Sequence, residues 1–192
     1  MKKEYTLNNV KYKLEFQHKD NNVYMLEFLS EFDNDINNWE TLLSSYSIRY
    51  TGEGKIEDMI GESMKSISPV AITDPYIVEK KDKNGNDCFV VEMFLRNDAR
   101  QIIELTFQKW FKNKDNNISY NQYNVALPFD KVKDLEWLKK QSLELKDIVE
   151  DFINLDIDGS DYFENTESEE ELQDMIGDMM KNMKNAMEEL KN

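Results

Sequence analysis

Asp156, Asp158, Ser160 and Glu167 stand at positions one, three, five and twelve of a calcium-loop spacing, between two predicted helices. Oxygen ligands at those intervals are what a hard cation needs. The sharp turn of such a loop also needs glycine at position six, where this chain has Asp161, and Gly159 falls at position four. The segment therefore reads as a solvated acidic hinge, and no metal is expected. His18 is the only histidine and Cys88 the only cysteine. A zinc site needs several such ligands, and a catalytic histidine needs an orienting group and a nucleophile. His18 lies in a polar stretch, Gln17 to Asn22, that reads as a turn, and Asp87 beside Cys88 raises a thiol pKa, the wrong direction for a nucleophile.

Gly52-Glu53-Gly54-Lys55 precedes a helix, but the spacing is not that of a phosphate loop and Glu53 would repel phosphate. Trp110, Phe111, Tyr120 and Tyr123 could stack on bases only beside a basic groove, and Lys109, Lys112 and Lys114 are few. A sheet end with a hairpin is the plainer reading. Carboxylates are abundant, so a paired-carboxylate site in the folded chain stays open as an alternative. No cofactor is expected.

The charge balance points elsewhere. Net charge is −15, with a sequence pI near 4.5. That repels nucleic acid and anionic membranes and permits a basic protein partner, or a surface that imitates nucleic acid. One cysteine excludes an internal disulfide and fits a reducing compartment. Met1-Lys2-Lys3-Glu4-Tyr5-Thr6 has no apolar run after its lysines, and no stretch is apolar enough for a membrane span. The expected location is cytoplasmic.

Hydrophobic periodicity supplies the elements that would position any site. Val10, Tyr12, Leu14 and Phe16 alternate with polar residues, which predicts a half-buried strand after an Asn8-Asn9 turn from Tyr5–Leu7. Further strands are predicted over Val23–Leu29, Ser45–Arg49, Tyr76–Glu79, Cys88–Leu95, Ile102–Phe111 and Ile118–Leu127, with Asn84-Gly85 as a hairpin turn. Ile56, Met59, Ile60, Met64 and Ile67 share a helical face within Lys55–Ile67, closed by Pro69. Leu135, Leu138, Leu145, Val149 and Phe152 predict one helix from Lys131 to Leu155. No internal repeat is visible. The fold class is α+β: a mainly antiparallel sheet covered by two amphipathic helices, residues 1–155, followed by an acidic tail, residues 156–192.

In that order the chain resembles the PsbP-like and DcrB-like proteins. The resemblance rests on Ser45–Thr51 leading into the Lys55–Ile67 helix, the strands Cys88–Leu95, Ile102–Phe111 and Ile118–Leu127, and the helix after Pro128. It implies an α/β/α sandwich and an accessory or protein-binding role; some bacterial members escort secretion effectors. The acidic tail departs from that family's pattern.

The tail holds twelve Asp and Glu against three Lys. Ser168-Glu169-Glu170-Glu171 has the capping-box spacing that opens a helix. Leu172, Ile176, Met179, Met183, Ala186 and Leu190 step by fours and threes, and Met175, Met180 and Met187 widen the seam. Methionine adapts to irregular partners. The expected partner surface is therefore Leu172, Ile176, Met179, Met183, Met187 and Leu190, facing a protein that is basic or offers an apolar groove, or a second copy of the chain. The expected function is a non-enzymatic protein-binding module: an effector chaperone, an immunity protein or an adaptor. The alternatives are a carboxylate-based enzyme or small-ligand binder, and a nucleic-acid mimic that inhibits a basic protein.

Overall fold

The computed structural model describes residues 3–20, 23–48, 55–113 and 117–157. Within them the elements run β1 (Glu4–Leu7), β2 (Val10–Lys19), β3 (Val23–Ser30), β4 (Thr41–Ile48), α1 (Ile56–Ile67), β5 (Tyr76–Lys81), β6 (Asp87–Asn97), β7 (Ile102–Lys112), β8 (Ile118–Pro128), α2 (Leu135–Glu144) and α3 (Lys146–Ile153). One eight-stranded sheet has the order β1-β2-β3-β4-β8-β7-β6-β5. Every neighbouring pair is antiparallel. This is an α+β fold. The chain writes a four-stranded meander and a helix, then a second four-stranded meander and a helical pair. That repeat of elements leaves no trace in the residues themselves. The expected tail helix lies outside the described residues, which end at Ile157.

Local chemistry sets the turns. Asn8 and Asn9 both have positive φ, 47° and 63°, the backbone of a two-residue hairpin whose twist matches its strands. Gly85 takes φ 82° between β5 and β6 and donates its N–H to the Asp82 carbonyl at 2.9 Å. α1 carries Glu57 and Asp58 in its first turn and Lys65 in its last, each favourable to the helix dipole, and Pro69 sits in the short turn that follows.

The crossover through α1 takes the chain from the sheet centre to its far edge. α1 packs Ile56 and Ile60 on Val91, Met93, Trp110 and Ile118, which lie on one face of β6–β8. The helical pair covers the other face, where the Phe152 ring lies 6.1 Å from that of Tyr123. Central strands are thus buried on both sides. In β7, Ile103, Leu105 and Phe107 are buried as expected, but so are Thr106, Gln108 and Trp110 on the opposite face. β4 begins at Thr41, earlier than its alternation suggested, because Leu42, Leu43, Ser44 and Ser45 are all buried in the sheet centre.

Two expectations are corrected. Phe16 does not share the inward face of Tyr12. The β2–β3 register slips between Leu14 and Phe16, so Glu15 is an extra residue and Phe16 turns to the opposite face, 42 % exposed. The Lys131–Leu155 helix is two helices. Leu145 leaves helical backbone at φ −91°, ψ 2°, between α2 and α3. Asp134 caps α2 by accepting from the Trp137 N–H at 3.0 Å, and Leu135, just inside, is exposed rather than packed. Packing also continues past Leu155: Ile157 is 1 % exposed, and its carbonyl accepts from Ser45 Oγ at 3.5 Å.

Candidate binding surfaces

The residues first considered for chemistry are scattered by the fold. His18 is exposed on β2 opposite Met25, in a strand rather than a turn. Cys88 is buried on β6. Burial pushes its thiol up, Asp82 and Asp87 add to that, and Lys109 and Lys80 oppose it. Trp110 and Tyr120 stack at 4.3 Å on the α1 face, whereas Phe111 and Tyr123 belong to the opposite face, so the four form no common platform. Asp156 is described and exposed; Asp158, Ser160, Asp161 and Glu167 lie outside the described residues, as do Gly52 to Gly54. So do Leu172, Ile176, Met179, Met183, Met187 and Leu190. Among the described residues no helix is long and apolar enough to cross a membrane.

On the α1 face, polar side chains form a seam across the sheet centre. Trp110 Nε1 donates to Gln108 Oε1 at 2.9 Å, Gln108 Nε2 to Gln122 Oε1 at 2.8 Å, and Gln122 Nε2 to Asn124 Oδ1 at 3.0 Å. Thr106 Oγ1 also donates to Asn124 Oδ1, at 2.8 Å. A paired seam of this kind resists register slips, because a one-residue shift would bury every one of these groups unpartnered. It is structural. Nearby, burial and then the charge of Glu27 push the Tyr46 hydroxyl up to about 12.

A cleft opens at the β5 edge. Tyr76, Val78 and Lys80 project toward the helical pair, and Val90, Phe107 and Val149 line the floor of a space of about 240 Å³. An ion pair between Lys80 and Glu150 ties β5 to α3 across it. Leu143 of α2 and Tyr76 stand at the rim, each 64 % exposed; Ile77, 46 % exposed, lies on the opposite face of β5. β5 is the last strand of the sheet. The Asp82 N–H bonds the Asn86 carbonyl at 2.9 Å, so hydrogen-bonded pairs alternate back along the strand and Ile77, Glu79 and Lys81 turn their N–H and C=O groups outward.

A second, polar pocket of about 200 Å³ lies at the other end of the β5–β6 hairpin, lined by Asp82, Lys109, Lys112, Asn113, Asn121 and Asp156 among others. Lys109 is 5 % exposed, with its Nζ 3.6 Å from Asp82 Oδ2 and 5.1 Å from the Phe111 ring centre. Burial alone would raise the Asp82 carboxyl. The backbone N–H groups of Asn86 and Asn84, the Asn86 amide and the Lys109 charge outweigh it and hold the group below the usual range. Asn121 is 1 % exposed, and neither its Oδ1 nor its Nδ2 has a hydrogen-bond partner. Sequence reading passed over this pocket although one signal was available. Lys109 continues the inward phase of Ile103, Leu105 and Phe107, where an ammonium has no business unless something polar meets it.

No family model, curated protein or solved structure matches this chain.

Proposed function

We propose that this chain is a non-enzymatic protein-binding module that takes an extended segment of its partner along β5. The observation that carries the reading is an edge strand, unpaired on its outer side among the described residues, with exposed apolar side chains: Tyr76 and Leu143 on the cleft face and Ile77 on the other flank outward backbone groups at Ile77 and Glu79. An edge of this kind is a template for strand addition, in which main-chain bonds give affinity and pockets for alternate side chains give selectivity. The partner segment is extended, because only a strand meets such groups in register. It is apolar where it passes Tyr76 and Leu143, because the cleft floor of Val78, Val90, Phe107 and Val149 is apolar. The acidic tail, with Leu172, Ile176, Met179, Met183, Met187 and Leu190, belongs to the same proposal as a second contact surface. The resemblance in element order to PsbP-like and DcrB-like proteins, read from the sequence, belongs to the same proposal, as a reason to expect an accessory role.

A displayed library of random peptides tests the reading. Selection on the full chain should enrich extended apolar sequences free of internal proline. Binding of the enriched peptides should fall at least tenfold, about 1.4 kcal/mol, with Ile77→Pro, which removes one outward donor, and with Leu143→Asp. Failure to enrich, or enriched peptides indifferent to both changes, contradicts it.

A further inference from the structure

The polar pocket beside the β5–β6 hairpin is built differently from the cleft. We propose that it binds a small zwitterion, a free α-amino acid, between Lys109 and Asp82 with Asn121 at its floor.

Three observations carry this. The first is Asn121. Its side chain is buried, lines the pocket, and leaves both a carbonyl oxygen and an amino group without a partner. A buried amide left unsatisfied is costly, and such a group in a native structure marks a missing water or ligand. Because donor and acceptor are both open, the complementary molecule presents an acceptor and a donor side by side.

The second is charge. Lys109 and Lys112 stand against Asp82 and Asp156 around the pocket. The two signs balance, so neither a simple anion nor a simple cation is favoured, whereas a molecule with both charges a few atoms apart meets both. Lys109 and Asp82 are 3.6 Å apart, an ion contact too long for a good hydrogen bond, so both keep hydrogen-bonding capacity for a third group. Asp82 is already fixed in place by Asn84 and Asn86, and Lys109 by its strand and the Phe111 ring. The charges are therefore oriented before anything binds.

The third is size. A pocket of about 200 Å³ has room for several waters or one small molecule. In the bound state the ligand carboxylate takes the Lys109 ammonium and the Asn121 Nδ2–H. Its ammonium is taken by the Asp82 carboxylate and Asn121 Oδ1. Nothing in this depends on the β5 cleft.

The test is an NMR titration of the full chain with L-serine, L-asparagine and L-glutamine, observing the Asn121 side-chain amide and the Lys109 and Asp82 signals. Inorganic phosphate and putrescine serve as single-sign controls. At least one amino acid should give saturable shifts confined to the pocket, and Asn121→Leu should weaken that binding tenfold or more. Shifts with phosphate or putrescine equal to those with the amino acids would overturn the zwitterion. No shift with any amino acid would leave a water-filled pocket and overturn the site. Should Asn121→Leu fail to fold, Lys109→Met replaces it, with the same loss expected.

Discussion

Lys109 and Asn121 stand directly opposite each other across the β7–β8 pair, a buried ammonium facing a buried amide. Neither group is there for packing, since apolar residues of the same shape would cost nothing to bury. Asp82, from the neighbouring hairpin, supplies the countercharge.

Removing that countercharge should be the most damaging single change in the pocket. Asp82→Ala leaves Lys109 charged and buried, and should cost about 3 kcal/mol. Lys109→Met added to it should recover most of the loss. Asn121→Leu should be neutral or stabilising, by up to about 1 kcal/mol, because it removes an unsatisfied amide. Urea unfolding of the four proteins checks all three values. Equal losses for Asp82→Ala with and without Lys109→Met would mean that the ion pair is not what holds the hairpin.

Tyr46 sets an alkaline limit. Burial, reinforced by Glu27, raises its hydroxyl from the ordinary value near 10 to about 12 in the folded chain. A raised folded value means that the stability is fully present below pH 10 and is lost as pH rises toward 12, where the unfolded chain alone has released its proton. Tyr120 and Tyr123 are shifted in the same direction. Melting temperature should therefore fall steeply between pH 10 and 11.5, and less steeply in Tyr46→Phe. An unchanged slope in the variant would show that Tyr46 ionises as easily folded as unfolded.

Tyr12 and Phe16 look equivalent in the sequence and are not. Tyr12→Ala should cost about 3–5 kcal/mol, because a buried ring leaves a cavity, whereas Phe16→Lys should change stability by no more than about 0.5 kcal/mol. Thermal unfolding of both decides it; a large loss for Phe16→Lys would mean that its face of β2 is covered.

That pair shows where the sequence was legible. Strand alternation located β2, β3 and β5–β8, and Asn84-Gly85 located a turn, because each is a local rule obeyed by neighbouring residues. A β-bulge is one extra residue without a side-chain signature, so Glu15 could not announce that Phe16 changes face. The break at Leu145 is similar: the apolar spacing runs on through it, and only the backbone at Leu145 shows that the helices part. Central strands lost their alternation because both faces are covered. The polar pocket was half legible. Lys109 is a charged residue in phase with an apolar row, but Asp82 reaches it only through the hairpin, and the open amide of Asn121 is a property of the assembled sheet.

Ile157, the last of the described residues, is buried in the core. A chain ending after Ser160 should unfold cooperatively at nearly the melting temperature of the full chain. One ending after Leu155 loses a buried isoleucine and the Ser45 contact, and should be less stable by about 2–4 kcal/mol. Calorimetry of the two truncations checks this. Equal stability would mean that residues 156–160 add nothing to the core.

The central claim is that a partner adds a strand to β5. Hydrogen exchange, residue by residue, with and without a peptide selected on the full chain, tests it most directly. Strand addition predicts that the outward amides of Ile77, Glu79 and Lys81 slow markedly, while those of Tyr76, Val78 and Lys80, already bonded to β6, change little. Protection that appears elsewhere, with the β5 amides exchanging at their free rates, would contradict the account.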